Sequence, residues 1–135
     1  MATGLGARFM EFRNMIMELA GLASDVGTGT TSSGAVTINS AMGKITTEAL
    51  TTAQDAKYTI TLTNSKIAAA DMLLVTIGNG TNTQGTPVLQ TATPAAGSAT
   101  IIIANKHDSA EALNGTLQVS FAVVKALTGI TANSS

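Results

Sequence analysis

Lys106-His107-Asp108-Ser109 places a nucleophile type, a base type and an acid type side by side. A Ser-His-Asp mechanism needs those groups to converge in space, and adjacent residues project in different directions. The tetrapeptide therefore reads as a polar loop. The carboxylates Asp55, Asp71, Asp108 and Glu111 are scattered without metal-ligand spacing. With a single His and no Cys, neither a His cluster nor a thiolate metal site nor a disulfide can form. The run GTGTTSSG has the composition of a phosphate loop but lacks its Lys-Ser/Thr pair and follows no predicted strand. Asn79-Gly80-Thr81 and Asn114-Gly115-Thr116 match the glycosylation acceptor, yet without a signal peptide both read as turns. One Tyr, three Phe and no Trp leave no platform on which sugars or bases could stack. The expectation is a chain with no catalytic residues, no cofactor and no metal.

Function must then reside in surfaces. The chain has 135 residues, of which 44% are hydrophobic and only 11% charged, with a net charge of −1. That length allows one domain of modest core plus an arm. The charge balance offers no footprint for nucleic acid or an anionic membrane. A Thr, Ser, Asn and Ala surface protects weakly against association, so the chain is expected bound to other chains. No apolar run approaches a membrane span, and Glu11 and Glu18 interrupt what a signal peptide would keep uncharged. These features predict a soluble protein that stays in the cell where it is made or leaves by lysis.

The large side chains are concentrated in RFMEFRNMIMELAGLA. On a helix, Phe9, Phe12, Met15, Ile16, Leu19 and Leu22 share one broad face, while Met10 and Met17 lie on the far side. Such a short helix is marginal alone and must bury that face against its own domain, sister subunits or another protein. These eight residues are the predicted partner-binding set, Met10 and Met17 supplying a second, adaptable contact. The predicted organisation is a helical arm at 1–26, a Gly/Thr/Ser linker at 27–33, a β domain at 34–126 and a tail at 127–135.

From Gly34 onward the period is two. AVTI, KYTITLT and TLQVSFAVV alternate apolar and polar residues as half-buried antiparallel strands do, and DMLLVTIGNG and ATIIIANK are nearly continuous apolar runs suited to central strands. SAMG, NGTNTQGTP, TPAAGS and LNGT separate them as turns, and TTEALTTAQDA reads as a strand followed by a loop. Seven or eight short strands predict a mainly β fold: an antiparallel β-sandwich or small barrel, jelly-roll or immunoglobulin-like, carrying an N-terminal amphipathic α-helix arm.

The pieces ITTEALTTA, NGTNTQGTP, TPAAGS and ALNGTLQVSF, spread over about 34–126, resemble a small β domain recurrent in virion structural proteins of tailed bacteriophages. The resemblance implies a capsid decoration (cement) protein, bound to the major capsid protein or another virion protein and assembled into the virion in the host cytoplasm. It also implies a homo-oligomer, a trimer being favoured by analogy with small decoration proteins. A head-fibre or tail-appendage component is the alternative within that class. A host-surface glycan or receptor module is the alternative from another, disfavoured by the scarcity of aromatics.

Overall fold

The computed structural model describes residues 25–126. The predicted arm and the C-terminal tail lie outside the described residues, apart from the first strand discussed below. Eight strands follow in order: β1 (Val26–Thr30), β2 (Ala35–Thr37), β3 (Met42–Thr46), β4 (Lys57–Thr63), β5 (Met72–Asn79), β6 (Pro87–Ala95), β7 (Ser98–Asn105) and β8 (Leu117–Val124). One sheet has the order β1-β3-β8-β5 and the other β2-β4-β7-β6. The fold is mainly β, two sheets packed as a sandwich. The sheets are mixed rather than purely antiparallel, because β1 pairs with β3 and β2 with β4 in parallel.

The core follows from the alternation. In β4, Ile60 and Leu62 point inward between exposed threonines, and in β8 Leu117, Val119 and Phe121 do the same. Central strand β7 adds Ile101 and Ile103, both fully buried, and β3 adds Ile45. No side chain in this core is larger than Phe121, so each methyl group counts. Ile101→Ala is expected to cost about 2–5 kcal/mol by leaving a cavity between the sheets. Equilibrium unfolding in denaturant would read it as a lower midpoint at unchanged slope.

Three segments depart from the sequence-based expectation. The linker expected at 27–33 is largely a strand. Val26–Thr30 pairs with β3 over its whole length. Its glycines are inward-facing positions stripped of side chains. A Cβ on Gly27 would stand 2.5 Å from Ile38 Cγ2, and one on Gly29 would stand 2.7 Å from Val36 Cγ2. The Gly-Thr alternation thus lets β1 close against the residues of β2 and beyond, and Val26–Thr30 is part of the sandwich rather than a linker before it. The second departure is β3. It is built from Met42–Thr46, whose first two residues belong to the expected SAMG turn, whereas 47–56 forms a loop. Third, β5 is an edge strand, not a central one. It alternates, with Leu73 buried while Met72 and Leu74 are exposed. The neighbouring edge β6 is guarded by Pro94 and a register shift between Leu89 and Thr91, and β5 carries no such device.

Candidate binding surface

One end of the sandwich gathers the loops 47–56, 80–86 and 106–116, and its polar groups are taken up internally. The two Asn-Gly-Thr tripeptides face each other. Thr81 N donates to Thr116 Oγ1 at 2.9 Å and Thr116 N donates to Thr81 Oγ1 at 2.9 Å. Asn114 N donates to Asn82 Oδ1, and Thr83 N returns a bond to Asn114 Oδ1, both at 2.8 Å. The tripeptides are a clasp between two loops. Asn105, fully buried, ties three further segments: its Nδ2 donates to Thr52 O and Glu111 O, and its Oδ1 accepts from Thr86 N.

The Lys106–Ser109 loop sits here too. His107 Nδ1 is 3.0 Å from Thr86 Oγ1, and Nε2 is 3.4 Å from Glu111 and 3.5 Å from Asp108. Among the described residues, no hydrogen bond joins Ser109 to His107, so the three chemistries do not converge as a triad requires. Lys106 is spent on Asp55 at 3.0 Å.

A second network fixes the chain between β1 and β2. Ser33 and Gly34 both have positive φ, 49° and 78°, the two-residue turn in which a Gly is favoured. Their amides donate to the two carboxylate oxygens of Glu48 at 2.7 and 2.8 Å. Tyr58 Oη donates to Glu48 Oε1 at 2.7 Å, Thr31 Oγ1 donates to Tyr58 Oη at 2.8 Å, and Glu48 N donates to Thr31 Oγ1 at 2.9 Å. The ring is closed because each hydroxyl gives one proton and receives another. The Tyr58 and Ser33 bonds hold the Glu48 carboxyl below its usual range. Burial, reinforced by the Glu48 carboxylate and opposed by the Thr31 bond, pushes the Tyr58 phenol up to about 12. Tyr58 is the only tyrosine, so an ultraviolet titration reads it alone. A midpoint near 12 is expected in the folded chain. Because the folded value lies above the unfolded one, stability is full below about pH 10 and falls as pH rises toward 12.

The opposite end is where β1 begins and β8 finishes. Asp25 marks the entry: its carboxylate accepts from Ala41 N at 3.0 Å and its carbonyl accepts from Met42 N at 3.1 Å. Asp71 marks the exit. Its side chain, 4% exposed, accepts from Lys125 Nζ at 2.6 Å, from Ala68 N at 2.8 Å and from Ala126 N at 3.1 Å. The Lys125 and Ala68 bonds lower the Asp71 carboxyl to about 2. A depressed value stabilises the fold above the unfolded pKa, and that contribution is lost as pH falls from about 4 through 2. Asp71→Asn is expected to remove this acid-side slope, read as thermal midpoints across that window.

On the outer face of the β1-containing sheet, polarity changes along the strands. The register aligns Val26, Met42, Ala122 and Leu74 in one row across all four strands, with Met72 beside Val124 next to it. Val26, Met72 and Leu74 are more than half exposed. The following row is Thr28, Lys44, Ser120 and Thr76. An apolar stripe therefore occupies only the entry-and-exit end. A shallow cleft of about 430 Å³, lined by Met72, Val124 and Ala126 among others, continues it around the edge. This stripe is the candidate binding surface among the described residues.

The residues predicted to bind partners (Phe9, Phe12, Met15, Ile16, Leu19, Leu22, Met10 and Met17) lie outside the described residues. Sequence reading missed the stripe, although Met72, Leu74 and Val124 were visible as the outward partners of buried neighbours. The class that fold and surface define is a two-sheet β domain with one apolar end. Compared with known protein families, with curated proteins and with solved structures, the chain matches none.

Proposed function

We propose that this chain is a structural virion protein of a tailed bacteriophage, a capsid decoration (cement) protein. Its N-terminal arm, with the apolar end of the sandwich from which it leaves, binds the major capsid protein shell. The observation that carries the reading is the concentration of exposed apolar side chains at the one end where Asp25 leads back to the arm. The repeat of such contacts over a shell turns weak binding into stable occupancy. The unguarded edge β5 supports the homo-oligomeric part of the reading. Strands β3 to β8 alternate between the sheets until the β6–β7 hairpin. That order favours a jelly-roll type of winding over the immunoglobulin order, in which each sheet contains consecutive strands.

Co-sedimentation with phage heads that lack the chain tests the reading. Saturable binding at a fixed ratio to the major capsid protein is expected. Failure to sediment with heads, or saturable binding to tails or to a host glycan instead, would overturn it in favour of an appendage or receptor role.

A further inference from the structure

We propose that the chain self-associates through the open edge of β5, two copies pairing antiparallel about a twofold axis with Leu74 opposite Leu74 of the second copy. The inference concerns the chain in solution and stands apart from the virion reading. Such an isologous pair is a dimer and departs from the trimer that analogy favours. Three observations carry it.

The first is unpaired backbone. The β5–β8 register continues one pair past Asn79, where Gly80 N donates to Thr116 O at 2.9 Å. Gly80 therefore faces β8, and alternation along an antiparallel strand turns Met72, Leu74, Thr76 and Gly78 the same way. Strand β8 agrees from its other side. Val123 N donates to Ala41 O, so the odd-numbered residues of β8 face β3 and the even-numbered ones face β5. The amides and carbonyls of Leu73, Val75 and Ile77 then point out of the sheet. Among the described residues no turn or loop backbone bond reaches them. With Leu74 opposite itself, Leu73 of one copy meets Val75 of the other as a hydrogen-bonded pair, and both have these free groups.

The second is what the edge leaves open. The inward side chains of β8, Leu117, Val119 and Phe121, are all buried. On β5 only Leu73 is. Val75 and Ile77 pack on the core yet remain half-buried, and an added strand covers that flank. At the other edge of this sheet the inward positions are Gly27 and Gly29, where Ile38 and Val36 already fill the space.

The third is self-complementarity. A twofold strand pair sets side chains against their own kind, so any charge near the axis would repel itself. Met72–Asn79 contains no charged residue and no Pro. Leu74 opposite Leu74 is a non-hydrogen-bonded pair, the kind whose side chains approach most closely. The row Val26, Met42, Ala122 and Leu74 then runs on into the same row of the second copy. On the other sheet, β2 has only three residues and β6 carries Pro87, Pro94 and a register shift.

Sedimentation equilibrium of the full chain tests the proposal. The expected result is twice the mass of one chain, falling toward one on dilution. Leu74→Lys opposes two like charges across the axis, at a position 53% exposed. Val75→Pro removes an amide that bonds nothing within the sheet. Both variants are expected to be monomers at concentrations where the unchanged chain is a dimer, with the Tyr58 midpoint near 12 showing a folded sandwich. Should Val75→Pro unfold, Leu74→Lys carries the test. Val26→Lys, on the same row but at the far edge, is expected to stay a dimer. The natural chain has no Cys, so Leu74→Cys is expected to give a disulfide-linked dimer under mild oxidation that reports the register. A monomer at every concentration, a trimer, or a dimer that survives Leu74→Lys would overturn the proposal. So would a dimer lost in Val26→Lys, which would seat stripe on stripe instead of edge on edge.

Discussion

Asn105→Leu is expected to destabilise the sandwich by about 3–4 kcal/mol, on the scale of 1–3 kcal/mol for each polar group deprived of its partner. Leucine fills similar volume, so no cavity term enters. What is lost is the amide's double role. Its Nδ2 satisfies the carbonyls of Thr52 and Glu111, and its Oδ1 satisfies Thr86 N. Those groups belong to three different loops, and Asn105 itself is fully buried at the end of central strand β7. A domain of this size has total stability of about 5–15 kcal/mol, so the loss removes a large part of it. Denaturant unfolding measures it. A loss under about 1 kcal/mol would mean that water replaces the amide and that the loop end is less tightly built than its bonds indicate.

Phe12→Asp is expected to abolish head binding while leaving the sandwich folded. The substitution puts a carboxylate into the middle of the segment that holds two of the three phenylalanines and three of the six methionines. Burying that charge unpaired costs several kcal/mol, so affinity is expected to fall roughly a hundredfold or more. The residue lies outside the β strands, and the Tyr58 titration midpoint near 12 gives a built-in check of the fold. Unchanged binding with an unchanged midpoint would remove the arm from the interface.

The alternating strands were legible because period two is a strong signal where one face is buried. Ile60 and Leu62, and Leu117, Val119 and Phe121, are inward as their spacing predicts. Strand β1 was not legible. Its inward positions are glycines, chosen for close approach to Val36 and Ile38, and a Gly-Thr run carries no hydrophobic period. Strand β5 misled for the opposite reason. Met72, Leu73 and Leu74 read as a two-sided buried run, but alternate members lie on an apolar outer face. Asn105 sits beside a charged loop, and nothing local distinguishes a buried amide that bridges segments 53 residues apart from an ordinary loop asparagine. The two Asn-Gly-Thr turns were each legible singly. Their mutual clasp depends on β5 pairing with β8, a long-range fact. Of the candidate site, the stripe required the register of four strands, and the arm that the composition suggested lies outside the described residues.

The most direct measurement is electron microscopy of virions assembled with an epitope-tagged copy of the chain and labelled with antibody. Label spread over the head surface in many copies is the expected result. Label confined to the tail or one vertex, or mature particles bearing none, would contradict a capsid decoration role.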